Sequence, residues 1–270
     1  MDTRPIGVFD SGLGGLTAVR ELRRLLPSEH IIYFGDTSRV PYGGRSPEIL
    51  LKYARQDVRF LHSFDIKAIL VACGTVSTTA LPTLERESDI PILGVVEPAC
   101  RRAAAMTKKG RVGLIATAAS VRSGAYQRLL RELDADIRVT ARACPLFVPL
   151  VENGRVRPGD VVIETVAREY LEPLRREDLD TLILGCTHYP LLSELIGEIM
   201  GPGVTLINTG AEAAWELKRQ LRQRELLAPE RPGQATLYAS DQPEDFGALA
   251  ARFLQEELTR PVQPVDIERY

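Results

Sequence analysis

The chain has 270 residues, 44% of them hydrophobic and 26% charged, with a formal net charge of −2. That length allows one large or two ordinary domains with a sizeable core. Its 34 basic and 36 acidic residues are mixed along the chain, which excludes a nucleic-acid footprint and a polybasic membrane patch.

No apolar stretch approaches the roughly 18–20 residues that cross a bilayer. Residues 1–5 are too short and polar for a signal peptide. A soluble, cytoplasmic protein is therefore expected, bound to neither nucleic acid nor membrane. Apolar runs alternate with amphipathic stretches almost throughout, the pattern of an α/β fold with a mainly parallel sheet. The first strand is predicted over 6–9, followed by a helical face of Leu16, Val19, Leu22 and Leu26 that Pro27 ends. A second strand lies at 31–34. Ser46-Pro47 reads as an N-cap and N1 pair opening a helix to about residue 61. Strands at 69–72 and 92–96 follow.

The pattern then restarts, with a strand at 112–116, a helix at 123–133, a strand at 137–141 and a helix at 158–174. Strands at 182–184 and 204–207 come next. Helices at 211–223 and 244–258 flank a last strand at 235–239, and residues 226–234, with two prolines and a glycine, form the clearest loop. Gly7-Val8-Phe9-Asp10-Ser11 resembles Gly113-Leu114-Ile115-Ala116-Thr117. This weak internal repeat suggests two related lobes facing each other across one cleft.

Two cysteines occupy matching places in those halves. Ile69-Leu70-Val71-Ala72-Cys73 leads into Gly74-Thr75, and Leu182-Ile183-Leu184-Gly185-Cys186 leads into Thr187-His188. Short apolar runs before a turn read as buried parallel strands, and ligands collect beyond the carboxyl ends of such strands. Both thiols are therefore expected at the mouth of a crevice, as a pair of acid/base groups. The other two of the four cysteines, Cys100 and Cys144, read as inert packing. With no C-x-x-C pair, no disulfide framework is expected.

Other chemistries fit less well. Asp10-Ser11-Gly12-Leu13-Gly14-Gly15 has the position of a phosphate loop. Its third glycine position is Thr17, however, and Asp10 would set a carboxylate beside the pyrophosphate. Cys73, Cys186 and His188 lack the closely paired spacing of a structural zinc site. A cysteine hydrolase with His188 as base would leave one thiol idle. A pyridoxal-phosphate enzyme needs a Schiff-base lysine. Lys52, Lys67, Lys108, Lys109 and Lys218 all fall on helices or loops away from strand ends and read as solvated charge. Neither a cofactor nor a metal is expected. The segments Tyr33-Phe34-Gly35-Asp36-Thr37 and Val40-Pro41-Tyr42-Gly43-Gly44 form a glycine-rich loop that lets backbone approach a ligand. Glu152, closing the apolar run 145–151, reads by itself as an ordinary exposed carboxylate.

Taken together, these segments resemble the glutamate racemase family, within the cofactor-independent aspartate/glutamate racemases. The matching strings are Gly7-Val8-Phe9-Asp10-Ser11-Gly12, Tyr33-Phe34-Gly35-Asp36-Thr37, Val40-Pro41-Tyr42-Gly43 and Pro145-Leu146-Phe147-Val148-Pro149-Leu150-Val151-Glu152. The strongest is Leu184-Gly185-Cys186-Thr187-His188-Tyr189-Pro190-Leu191. The similarity runs from about residue 6 to 208 and more weakly to 258.

The resemblance implies an isomerase with two similar doubly wound α/β lobes and its active site in the cleft between them. The first lobe would comprise residues 1–97 with 209–270, the second 98–208. Cys73 and Cys186 would be the two catalytic bases that interconvert L- and D-glutamate, supplying D-glutamate for peptidoglycan. Asp10, His188, Asp36 and Glu152 would support proton transfer. Asp10, Ser11, Pro41, Tyr42, Gly43, Gly74, Thr75, Thr187 and His188 match substrate-contacting positions, and a homodimer is implied. The chain departs from the family at Gly74, where asparagine is usual, at Asn208, where an aspartate is usual, and conservatively at Ser120. Loss of the amide at 74 leaves open a racemase for aspartate or another amino acid, or an inactive ligand-binding relative.

Overall fold

The computed structural model describes residues 1–270. In chain order its strands are β1 (Ile6–Asp10), β2 (His30–Gly35), β3 (Ala68–Val71), β4 (Ile92–Gly94) and β5 (Arg111–Ala116). They continue with β6 (Arg138–Ala143), β7 (Thr181–Leu184), β8 (Thr205–Asn208), β9 (Gln234–Ala239) and β10 (Gln263–Pro264). Two sheets result, with orders β10-β9-β2-β1-β3-β4 and β6-β5-β7-β8. Every pairing is parallel.

The order β2-β1-β3-β4 in one sheet repeats as β6-β5-β7-β8 in the other. The internal repeat therefore has a topological counterpart, with β1 matching β5 and β3 matching β7. Both cysteine strands are second from the same edge of their sheets.

Parallel strands must be covered on both faces, which explains the unbroken apolar runs. β1, β3 and β7 are buried along their whole lengths. Helix Leu16–Leu25 presents Leu16, Val19 and Leu22 to the core, each 0% exposed. Burying each such side chain contributes about 1.5–3 kcal/mol.

The helices and strands fall close to where the sequence places them, and the departures have local causes. The expected 92–96 strand stops at Gly94, because the helix Val96–Met106 begins there. Pro98 is tolerated in its first turn, where no intrahelical N–H bond is lost. The expected 123–133 helix is two helices, Ala118–Ser123 and Ala125–Leu133, broken at Gly124 with φ +65°. The 244–258 helix ends at Leu254, followed by Gln255 in the left-handed region. Helix Gly74–Thr79, directly after Cys73, was not expected at all.

Lys67 corrects the expectation of a solvated charge. It is 1% exposed and pairs with Glu29 at 2.6 Å, while its ammonium donates to the Asp2 and Leu226 carbonyls at 3.0 and 2.7 Å. Glu29 in turn accepts the Ala228 N–H at 2.9 Å. The pair ties the starts of β2 and β3 to the N-terminal segment and to the loop that returns the chain to the first sheet. No helix is long and apolar enough to cross a membrane.

Candidate active site

Each cysteine stands two residues past its strand, beyond the carboxyl end, as the apolar runs implied. Neither lies open at a crevice mouth: Cys73 is 4% and Cys186 6% exposed. The physical reason is contact between the turns that follow the strands of the two sheets. Thr75 and Thr117 share a hydroxyl hydrogen bond at 3.0 Å, and Thr17 donates to the Thr187 carbonyl at 2.9 Å. A Cβ added at Gly74 would lie 2.7 Å from the Gly185 carbonyl oxygen. The residue after one thiol thus touches the residue before the other. Only glycine at 74 allows that approach without displacement.

Around Cys73, β1 supplies Asp10 and Ser11. The thiol is 3.8 Å from the Ser11 hydroxyl. Asp10 is 1% exposed. One of its oxygens accepts the Gly15 N–H at 2.8 Å, and the other, Oδ1, is buried without a partner. A buried acceptor left unpaired is costly and marks a place for a donor. Burial, reinforced by the Asp10 carboxylate, pushes the Cys73 thiol well up, so it rests as the thiol.

Around Cys186 the partners are Thr187, His188 and Glu152. The sulfur is 3.9 Å from His188 Nδ1, and His188 Nε2 is 3.0 Å from Glu152 Oε1. Burial alone would lower the imidazole, but the hydrogen bonds and charges of Cys186 and Glu152 outweigh it and lift His188 to about 10. His188 is therefore an imidazolium near neutral pH, and such a cation stabilises negative charge on a neighbouring sulfur. The Phe253 ring meets the imidazole edge-on at 5.4 Å and helps seal it. Short helix Phe147–Glu152 places the carboxylate, which its sequence context alone did not distinguish.

The loop after β2 is placed differently. Asp36 is fully buried, accepting from Arg39 Nε at 2.6 Å, Ser240 Oγ at 2.9 Å and the Tyr42 hydroxyl. Tyr42, 2% exposed, turns its phenol into this cluster. Pro41 is exposed, while Gly43 lies against Thr117: a Cβ added at 43 would sit 3.5 Å from the threonine Cβ.

Thr117 was missed by the sequence reading of the site, although a signal existed: it stands after β5 as Ser11 stands after β1. Thr17, Arg39 and Asp57 carried none, because charged and hydroxyl residues on helices and loops read as solvated. Cys100 and Cys144 are fully buried; burial pushes Cys100 up and Cys144 to about 12, as suits packing residues.

Two parallel sheets of repeated strand order, each bringing one buried cysteine to a shared, closed junction, define a two-lobed α/β protein. Residues 16–217 match the Asp/Glu/Hydantoin racemase family. The chain is 46% identical to a glutamate racemase of Geobacter metallireducens, covering 96% of this chain and 95% of that protein. Among solved structures, glutamate racemase from Francisella tularensis in complex with D-glutamate superposes with a TM-score of 0.92, at 37% identity over 100% of both chains. The Thermus thermophilus glutamate racemase in complex with β-chloro-D-alanine gives 0.90 at 46% identity, again over 100% of both chains. This chain belongs to the Asp/Glu/hydantoin racemase family.

Proposed function

We propose that the protein interconverts L- and D-glutamate by moving the α-proton between Cys73 and Cys186, with no cofactor. The observation that supports this reading is the contact between the two thiol-bearing turns, Gly74 against the Gly185 carbonyl and Thr75 bonded to Thr117. Removing a weakly acidic α-proton from one face and returning a proton to the other needs two groups in opposite protonation states. Burial beside Asp10 favours the Cys73 thiol, and the Cys186 sulfur, 3.9 Å from the His188 imidazole, would act as the thiolate. In that form Cys186 takes the α-proton of L-glutamate while Cys73 delivers its own to the opposite face. The reverse assignment handles D-glutamate.

Asp10 Oδ1, lacking a donor in the protein, suits the substrate ammonium. That cation also stabilises the carbanion formed at the α-carbon. The hydroxyls of Ser11, Thr75 and Thr187 supply donors for carboxylate, and Glu152 holds the imidazolium in orientation. Donors fixed in a water-poor junction act more strongly than in bulk solvent. A positioned acid or base contributes about 100- to 10,000-fold to rate.

The lobe division, residues 1–97 with 209–270 against 98–208, follows the membership of the two sheets. The enzyme is read as a cytoplasmic homodimer that supplies D-glutamate for peptidoglycan, and sedimentation tests the dimer. The reaction itself is tested in deuterium oxide with each glutamate enantiomer and no added cofactor or metal, followed by chiral chromatography and α-deuteration. Wild type should racemise and deuterate glutamate in preference to aspartate and other amino acids. Cys73→Ala and Cys186→Ala should each abolish interconversion. Near-normal racemisation by either variant would end the two-base reading.

A further inference from the structure

The loop carrying Pro41, Tyr42 and Gly43 sits on a buried charged cluster around Asp36, away from both cysteine contacts described above. Arg39 is 8% exposed, and its guanidinium is divided among several partners. Nε donates to Asp36 at 2.6 Å, Nη2 to Asp57 at 2.9 Å and Nη1 to Gln56 at 2.6 Å. Its plane lies over the Tyr53 ring, 4.2 Å from the centroid. Asp57, 0% exposed on helix Pro47–His62, meets the Tyr42 hydroxyl at 3.3 Å with its other oxygen. One cation thus joins the end of β2, that helix and the Tyr42 side chain.

Such a cluster is expensive to bury and is a poor source of net stability compared with packed apolar residues. What it supplies is geometry, since a forked guanidinium fixes its acceptors in direction as well as distance. Asp57 is not a bystander. Burial and the neighbouring Asp36 push its carboxyl well up, while Arg39 and the Tyr42 hydroxyl act against that shift. With the Tyr42 phenol clamped in this cluster, the backbone runs on to Gly43, which lies against Thr117 of the other sheet.

We infer that Arg39 and Asp57 are positioning residues that hold the Tyr42–Gly43 backbone in place for substrate. Neither touches the reacting atoms, and the claim of a substrate role rests on the proposed racemase reading. A backbone contact remote from the α-carbon would hold substrate equally before and during proton transfer, so loosening it should remove uniform binding and raise KM rather than lower kcat.

The test combines racemisation kinetics with amide hydrogen exchange on the free protein. The probe amide is Arg45, whose N–H donates to the Tyr42 carbonyl at 3.0 Å. Asp57→Ala should speed exchange at Arg45 about tenfold and raise KM about tenfold for both enantiomers, with kcat within about twofold of wild type. Asp57→Asn, which keeps an acceptor for Nη2, should restore most of both effects. If Asp57→Ala does not melt cooperatively, Arg39→Lys decides, because it keeps the charge and loses the fork. The same exchange and KM changes are expected of it. Unchanged exchange at Arg45, or a loss confined to kcat, would overturn the inference. Exchange is measured without substrate, so it reports on the loop even if glutamate proves to be the wrong substrate.

Discussion

Glu152→Gln removes the charge that faces His188 and keeps the shape and an acceptor oxygen. The pair is 3.0 Å apart, and Glu152 is 37% exposed. Solvent therefore screens it strongly, and a water-like dielectric gives about 1.4 kcal/mol, equivalent to about one pKa unit. The sign is set by charge: without the carboxylate the imidazolium is less favoured, so His188 should fall from about 10 toward 9. The alkaline limb of the rate–pH profile reports loss of the His188 proton. Initial racemisation rates between pH 6.5 and 10.5 should show the alkaline midpoint about one unit lower in the variant. At pH 7 the two proteins should differ little, and near pH 9.5 by about threefold or more. A midpoint that stays within about 0.3 unit, or moves upward, would refute this account of how the imidazole is held charged.

Stability should carry the same signature. His188 is raised above its ordinary value near 6.5 to about 10. Its contribution is therefore complete below about pH 6.5 and is lost as pH climbs through 10. Wild-type Tm should fall more steeply over that window than the Tm of His188→Gln, and parallel curves would contradict the assignment. Lys67→Met should cost about 3–5 kcal/mol in denaturant unfolding, because it leaves the Glu29 carboxylate buried and unpaired. A loss below about 1 kcal/mol would show that the pair is dispensable. Gly74→Ala forces the Gly185 carbonyl away from a Cβ only 2.7 Å distant. Overpacking of that kind costs about 1–3 kcal/mol. Tm should therefore fall by several degrees, and an unaltered Tm would sink the argument.

The parallel strands were legible because burial on both faces demands uninterrupted apolar residues, and those runs end where the thiols begin. Asp10, Ser11, Thr187 and His188 end or follow two such runs, but their roles came through the resemblance. Glu152 was singled out only through resemblance. Nothing in its local pattern separates a carboxylate that holds an imidazolium from one in water. Lys67 was misread for the same reason. A lysine at the start of a strand looks solvated until a distant glutamate and two carbonyls converge on it.

Periodicity and short-range spacing describe what each segment buries, and those are properties the chain carries locally. They were enough to determine two repeated α/β halves, four free thiols and the two strand ends that matter. Which surfaces of those halves meet is decided by contacts between residues far apart in the chain, such as Gly74 with Gly185 or Thr17 with Thr187. The charge state of His188, the partnerless oxygen of Asp10 and the Arg39–Asp57 brace arise in the same way from contacts between separate elements, here within one half. Each depends on how much water is excluded and which charge lies opposite, and only the folded arrangement sets those two quantities.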